Sequence, residues 1–265
     1  MSLTSIGMRV VTGLVLGMMI ALAARRRRIL SASGAIAAVA VATATWTAGW
    51  SWGAAVIAFF VSSTVFSKLR EAQKRKLTRD IVEKGTERDW KQVVANGGPF
   101  TLAAVASLIW PADQWMMIGA GALAASTADT WATEIGTLSS SVPRSIVTRR
   151  EVPAGTSGGI TPAGVLASVA GALFIGVLVH LMGWPFVAIY ASLTGGFAAS
   201  TFDSLLGATI QSRRWCRQCN RGTERAVHVC GTPTFASGGF SWMDNDMVNF
   251  VSSIFGALVG AMWIL

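Results

Sequence analysis

Three carboxylate residues lie inside long apolar segments of this sequence. Asp129 and Glu134 share one segment, and Asp203 lies in another. The text around them repeats, because Ala-Ser-Thr-Ala-Asp-Thr at 125–130 is echoed by Ala-Ser-Thr-Phe-Asp-Ser at 199–204. Acids within membrane spans are costly and mark functional sites by default. Three carboxylates at a similar depth are hard oxygen ligands that suit Mg²⁺ bound together with phosphate oxygens.

A structural role for the acids is the alternative. Buried carboxylates can also join packed helices through neighbouring Ser and Thr side chains. A regular helix places Asp129 and Glu134 about 140° apart. Unless the helix bends, these two acids would serve different ions or partners. The matched depth of all three acids on one side of the membrane favours a functional site.

A glycine-rich loop at residues 152–161 is predicted to face the same side. Glycines let the backbone approach a ligand closely, and the helix that follows presents free amides to an anion. The candidate phosphate contacts here are Gly155, Thr156, Ser157, Gly158, Gly159 and Thr161, with charge from Arg144, Arg149 and Arg150. The glycine pair at 97–98, with Asn96 beside it, is predicted to begin a second helix on that face.

All three cysteines of the chain fall in one basic loop, in the pattern Cys216-x-x-Cys219…His228-x-Cys230. Three thiols and an imidazole can form a tetrahedral zinc site. A reduced, metal-free polar loop is the alternative, and the sequence leaves both open. A zinc ion held by all four side chains would be structural, because no coordination position stays open for a substrate. The other histidine, His180, is interpreted as interfacial or packed.

The composition predicts the elements that carry these residues. The chain is 52% hydrophobic and 13% charged, whereas soluble proteins carry about 25% charged residues. We therefore predict an all-α polytopic membrane helix bundle, forming a single integral membrane domain over 1–265. Apolar runs predict helices at roughly 5–24, 29–47, 51–67, 99–111, 115–138, 161–182, 185–210 and 246–264. The fourth and fifth helices look like a weak copy of the sixth and seventh.

Charge predicts the topology. The segments 25–28, 67–92, 139–160 and 211–245 hold 21 of the 22 Lys and Arg residues, so they are predicted to be cytoplasmic, with both termini outside the inner membrane. This distribution between apolar runs argues against nucleic-acid binding despite a net charge of +9. Segment 67–92 is interpreted as an amphipathic surface helix or a solvated charged loop, and 211–245 as a Cys/His loop. No cleavable leader is expected, because Arg25–Arg28 follow the first apolar run.

Tryptophan gives an independent prediction for the opposite side. Aromatic belts form where membrane spans meet the interface. The outer-interface tryptophans are predicted to be Trp46, Trp50, Trp52, Trp110, Trp115, Trp184 and Trp263.

Several blocks of text resemble a known membrane family. They are Gln-Val-Val-Ala-Asn-Gly-Gly at 92–98, Ala-Asp-Thr-Trp-Ala-Thr-Glu-Ile-Gly at 128–136, Gly-Thr-Ser-Gly-Gly-Ile-Thr at 155–161, Asp-Ser-Leu-Leu-Gly-Ala-Thr-Ile-Gln at 203–211, the Cys/His loop, and Asn-Asp-Met-Val-Asn at 245–249. The family includes plant and cyanobacterial phytyl-phosphate kinase and the animal transmembrane protein 19. The resemblance implies a CTP-dependent kinase that converts an isoprenyl monophosphate, such as phytyl-, geranylgeranyl- or farnesyl-phosphate, to the diphosphate.

That resemblance implies roles for the candidate residues. Asp129, Glu134 and Asp203 would hold Mg²⁺ and orient phosphates, while Asn96 and the glycine loop would cradle the nucleotide. Lys68 and the three loop arginines would bind substrate phosphate, and Gln211 would lie at the rim. The prenyl tail would lie between helices in the inner leaflet.

Two other functions remain open at this stage. Repeats and intramembrane acids also suit a transporter or an ion pathway. A cytidylyltransferase acting on a lipid phosphate would use a similar site and release pyrophosphate.

Overall fold

The computed structural model describes residues 3–82 and 87–264, which form a helical bundle with two small sheets. Within these ranges the helices are α1 Leu3–Arg26, α2 Ala32–Ala48, α3 Trp50–Lys68, α4 Glu71–Thr78, α5 Trp90–Ile109, α6 Gln114–Gly136, α7 Pro162–Leu181, α8 Val187–Thr209 and α9 Asn245–Ala261. The strands are β1 Arg144–Ser145, β2 Gly159–Ile160, β3 Arg213–Cys216, β4 Arg221–Thr223 and β5 Phe235–Gly238. The predicted polytopic helical bundle is confirmed.

Among the described residues, four helices combine the length and the hydropathy of membrane spans, namely Thr4–Arg26, Trp50–Lys68, Trp90–Ile109 and Pro162–Leu181. Helix α2 is apolar but shorter. Helices α6 and α8 have 23 residues each and are long enough, since such a helix rises about 35 Å. Their Ser, Thr and Asp residues lower their hydropathy.

Helix α6 lies at the centre of the bundle and packs against α7, α8 and α9. Small residues allow this close packing, as is usual between membrane helices. A Cβ atom added to Gly121 would lie 2.2 Å from the carbonyl oxygen of Gly256 on α9. One added to Gly196 on α8 would lie 2.6 Å from Ala172 Cβ and 3.0 Å from the Ala124 carbonyl oxygen.

Helix α5 begins earlier than predicted. Asp89 caps it by accepting a hydrogen bond from the backbone N–H of Gln92 at 3.0 Å, so the helix starts at Trp90. The prediction that the glycine pair at 97–98 begins a helix is therefore wrong, because both glycines and the following Pro99 lie inside α5. The two glycine pairs that suggested an internal repeat occupy different structural positions. The pair at 97–98 lies inside a helix, whereas the pair at 158–159 precedes one.

The basic segments meet at one end of the bundle. Leu30 forms a bridge with Arg88, and Arg25 forms an ion pair with Glu87 at 3.3 Å. Part of the charged segment 67–92 forms α4, and the Lys74–Glu134 ion pair joins α4 to the end of α6. Residues 83–86 of the segment lie outside the described ranges. The short sheet of β1 and β2 and the three-stranded sheet β4-β3-β5 lie in the other two basic segments.

Tryptophans at the opposite end follow the predicted belt only in part. Trp50 and Trp110 are exposed, at 58% and 63%. Trp52 and Trp184 instead turn inward and are buried in the core, with ring centroids 4.6 Å apart and ring planes tilted by 57°. Trp184 Nε1 donates a hydrogen bond to Ser51 at 3.0 Å, which satisfies its polar group inside the bundle.

Candidate active site

A cavity of about 950 Å³ opens at the basic end, between the helices and the connecting segments. Most of the predicted site residues line it, although they come from six separate parts of the chain. The predicted residues on its wall are Lys68, Asn96, Asp129, Glu134, Arg149, Gly155, Thr156, Ser157, Gly158, Gly159, Thr161, Asp203 and Gln211.

Two of the three carboxylates meet at the base of the cavity. Asp129 on α6 and Asp203 on α8 line one narrow recess together with Asn96, Asn249 and Ser252. The Oδ2 atom of Asp203 is buried and accepts no hydrogen bond from the described part of the chain. Buried polar atoms are nearly always partnered, so this oxygen is available to a ligand.

The recess has the chemistry of a site for a hard cation. Its carboxylates and the side-chain amides of Asn96 and Asn249 offer oxygen donors, which Mg²⁺ prefers. The same four residues also line the main cavity. A cation held here would therefore face whatever occupies the larger space, and the donor set fits Mg²⁺.

Glu134 does not join these two acids. Its carboxylate forms an ion pair with Lys74 of α4 and accepts a hydrogen bond from Ser67 at 2.7 Å. Lys74 also donates to the carbonyl oxygens of Phe66 and Ser67, at 2.7 and 2.8 Å. The predicted grouping of three metal-binding acids is not what the structure forms, because the five-residue spacing turns Glu134 to another side of α6. Instead, Glu134 fastens α4 to α6.

Arg88 adds a second cation beside this pair. Its guanidinium donates to Ser67 at 3.3 Å and lies 5.8 Å from the ring centroid of Phe60. Burial lowers the pKa of Arg88 and the charge of Glu134 opposes that shift. Arginine stays protonated in proteins, so the cavity keeps a buried positive charge at this point.

The glycine loop precedes α7 and packs against the end of α8. Gly158 has φ +78, and a Cβ atom there would lie 2.5 Å from Ala208 Cβ, so only glycine fits. Thr161 caps α7 by accepting a hydrogen bond from Gly164 N at 3.1 Å. The loop thus brings backbone amides and hydroxyls to the cavity beside the start of α7, which is an arrangement that binds anions.

A carboxylate from the Cys/His loop already contacts this anion-binding wall. Glu224 accepts a hydrogen bond from Ser157 and another from Gln211 Nε2, the latter at 3.1 Å. Ser157 is a predicted phosphate contact, and Gln211 is the residue predicted at the rim of the site. The carboxylate of Glu224 thus takes up donors that a phosphate oxygen would use.

The three predicted loop arginines separate. Arg149 lines the cavity, whereas Arg144 and Arg150 are exposed and are not on its wall. Arg144 forms a surface ion pair with Glu151 at 2.8 Å. Lys68 lies at the cavity and forms an ion pair with Glu71 at 3.1 Å.

The wall formed mainly by α1, α2 and α3 is apolar. Its described lining is uncharged and consists of Gly17, Ile20, Ala38, Val41, Ala42, Val56, Ile57, Phe59 and Phe60, whereas Lys68, the last residue of α3, belongs to the charged face. A charged face and an apolar face in one cavity suit a ligand with a polar head and a hydrocarbon chain.

The Cys/His residues form a compact cluster away from the recess. One ligand atom from each of Cys216, Cys219, His228 and Cys230 lies within 4.8 Å of the others. Hydrogen bonds with Thr232 and then His228 lower the pKa of Cys230 to about 6, while contact with Cys230 raises the pKa of Cys219 to about 11. His180 lies far from this cluster in sequence, and its Nδ1 is 3.0 Å from the Trp184 carbonyl oxygen, as a packed histidine would be.

The bundle and its cavity define a multi-pass membrane protein with a charged site at one end. The chain belongs to the family described as integral membrane protein DUF92, which matches residues 15–257. This membership confirms the resemblance inferred from the sequence blocks.

Three relatives illustrate the range of the family. Protein PGR of Arabidopsis thaliana is 32% identical over 94% of this chain and 94% of its own length. An uncharacterized membrane protein of Methanocaldococcus jannaschii is 28% identical over 78% of this chain and 74% of its length. Protein VTE6, chloroplastic, of Arabidopsis thaliana is 25% identical over 88% of this chain, which spans 65% of that protein. No solved structure matches the chain.

Sequence reasoning missed several cavity residues with polar or charged side chains, among them Lys74, Arg88, Glu224 and Asn249. Asn249 lies in one of the sequence blocks that carry the family resemblance, so the resemblance could have suggested it. The other three lie in the charged segments between the long helices, where the local sequence does not indicate which side chain turns inward.

Proposed function

We propose that this protein is a membrane kinase that transfers the γ-phosphate of a nucleotide, CTP, to an isoprenyl monophosphate. The meeting of Asp129 and Asp203 in a recess of the cavity that also holds the glycine loop and the apolar wall is the main support. Membership of the family agrees with the reaction class that the sequence blocks imply. The acceptors that fit are phytyl-, geranylgeranyl- and farnesyl-phosphate.

Residues of different chemical type would have different roles in this reaction. Asp129 and Asp203 would hold Mg²⁺, and the ion would supply positive charge that neutralises the phosphates. The amides of loop 155–161 and the hydroxyl of Thr156 would hold the nucleotide phosphates. Arg88 and Arg149 would place the acceptor phosphate.

The transfer itself requires mainly positioning and charge stabilisation. An oxygen of the acceptor monophosphate attacks the γ-phosphorus, the bond from that phosphorus to the β–γ bridging oxygen breaks, and the nucleoside diphosphate leaves with the bonding electrons. The cations on the cavity wall oppose the repulsion between the two phosphates. The apolar wall would hold the prenyl tail and keep the head group at the recess.

The excess of Lys and Arg at the cavity end supports an orientation in which the site faces the cytoplasm, with both termini outside the inner membrane. Soluble nucleotide would then enter from the cytoplasm, while the lipid enters from the inner leaflet.

Purified protein in lipid nanodiscs tests the proposal. With Mg²⁺, CTP and each of the three prenyl monophosphates, we expect CDP and the prenyl diphosphate in equal amounts. Asp129→Asn and Asp203→Asn should each lower turnover by at least ~100-fold, the scale of losing a group that stabilises transition-state charge. Asp113→Asn is the matched control, because Asp113 precedes the opposite end of the same helix.

Other outcomes identify other functions. Release of pyrophosphate instead of CDP would make the protein a cytidylyltransferase. Substrate flux in liposomes without nucleotide would make it a transporter. Absence of turnover with every nucleotide and prenyl chain length would contradict the proposal.

A further inference from the structure

The Cys/His loop folds as a small module of its own. Strand β3 pairs with β4 and β5, with Cys216 opposite Arg221 at the end of the β3–β4 hairpin. Cys219 lies in the hairpin turn, and His228 and Cys230 follow β4. The fold thus brings two pairs of ligand-type residues, separate in sequence, to one place.

The module has no apolar core. Within residues 213–238 the buried side chains are Cys216, Thr223, His228 and Thr234. A segment of this size without a hydrophobic core usually depends on disulfides or a metal. The only thiols and the only imidazole of the module are the four clustered side chains.

The distances in the cluster suit a tetrahedral ion. Cys216 Sγ lies 3.6 Å from Cys230 Sγ, and His228 Nδ1 lies 3.2 Å from Cys230 Sγ. Zinc at its usual bond lengths separates two sulfurs by about 3.8 Å and a sulfur from a nitrogen by about 3.5 Å. His228 Nε2 is buried and makes no hydrogen bond within the described ranges. The position of the imidazole ring is therefore not set by a hydrogen bond at that nitrogen.

We propose that Cys216, Cys219, His228 and Cys230 bind one Zn²⁺, and that this metal holds the module in place as a wall of the cavity. Four protein ligands close the coordination sphere, which makes the ion structural. The site is independent of the kinase proposal, because it shares no ligand with the carboxylate recess.

The contacts of the module show what the metal would hold. Glu224 N donates to the Ile81 carbonyl oxygen at 2.9 Å, and Arg225 donates to that of Val82 at 2.8 Å. Arg221 forms an ion pair with Asp80 at 3.1 Å. These contacts dock the module on the segment after α4. Loss of the metal would free Glu224 from the glycine loop.

Metal analysis of the full-length protein, purified in detergent without added zinc or chelator, tests the binding. We expect about one zinc per chain, lost in His228→Ala and in Cys216→Ser. His180→Ala is the matched control and should keep its zinc, since His180 lies on α7. A wild-type protein that contains no zinc and takes up none when it is added would overturn the proposal, as would a disulfide among the cysteines.

Limited trypsin digestion tests the structural role in wild-type protein, so it does not depend on any variant folding. Chelation should speed cleavage after Arg217, Arg221 and Arg225 at least several-fold, and added Zn²⁺ should restore protection. Cleavage rates unaffected by removal of bound zinc would refute the role in holding the wall. Neither measurement uses nucleotide, so failure here is distinguishable from failure of the kinase proposal.

Discussion

At the scale of single residues, the cavity combines opposite charges in close contact. The sequence alone identified Asp129 and Asp203, because an acid in an apolar segment is conspicuous. It could not identify Lys74, whose partner Glu134 is 60 residues away and which is one of nine cations in segment 67–92. Spacing along that segment does not show which cation turns inward. That depends on the tertiary position of α4, which brings Lys74 to Glu134 and to the carbonyl oxygens at the end of α3.

Glu224 gives the residue-scale prediction. Its carboxylate uses the Ser157 and Gln211 donors and repels any phosphate that approaches them. Glu224→Gln removes the charge and keeps the shape, so the KM for CTP should fall about fivefold, which corresponds to about 1 kcal/mol of charge repulsion. The KM for CTP is measured by steady-state kinetics at a fixed concentration of prenyl phosphate.

Glu151→Gln is the control for this change, because Glu151 is an exposed acid paired with Arg144 away from the cavity. A KM for CTP that rises in Glu224→Gln would show that the carboxylate assists nucleotide binding instead of competing with it.

At the scale of elements, the helices were largely predictable and their ends were less so. Apolar runs placed eight long helices near their observed positions. The start of α5 was missed because a Gly-Gly-Pro text usually ends or begins a helix, whereas here the Asp89 cap and packing against neighbouring helices override that preference. The central position of α6 could not be predicted from the sequence either, because it depends on which glycines face which neighbouring helices.

Close packing at Gly121 gives the element-scale prediction. In Gly121→Val the new side chain would meet the α9 backbone at Gly256 and force α6 and α9 apart. Overpacking of this kind costs roughly 1–3 kcal/mol. We therefore expect Gly121→Val to unfold at a lower temperature than the wild-type protein in detergent. Tryptophan fluorescence during heating measures the unfolding temperature.

Gly7→Val serves as the control, because nothing lies within 4 Å of a Cβ atom at Gly7 on α1. Equal unfolding temperatures for the two variants would mean that α6 and α9 tolerate separation.

At the scale of the whole molecule, the basic connections gather at one end and build a cavity with a charged face and an apolar face. Charge counting predicted the gathering, because short basic loops stay on one side of a membrane. Charge counting could not predict the apolar face. The sequences of α1, α2 and α3 show no pattern that distinguishes the side that lines the cavity.

Chain-length preference gives the whole-molecule prediction. Ala38 on α2 lines the apolar wall, so Ala38→Phe should shorten the space for the tail. We expect kcat/KM for geranylgeranyl-phosphate to fall about tenfold relative to farnesyl-phosphate, the usual scale for small changes in an apolar pocket. Competition assays with both acceptors measure the ratio.

Ala40→Phe is the matched control, because Ala40 lies on the same helix but is exposed. An unchanged ratio in Ala38→Phe would show that the tail lies elsewhere.

The position of α6 has a consequence for how the protein is made. A chain leaves the ribosome from its N-terminal end, so α6 enters the bilayer before α7, α8 and α9, the helices that enclose it. Until they arrive, Asp129 lacks the neighbours that shelter it from lipid. A nascent chain halted before α7 begins at Pro162 would therefore expose the Asp129 carboxylate and the glycines of α6, so we expect membrane quality-control proteases to degrade it.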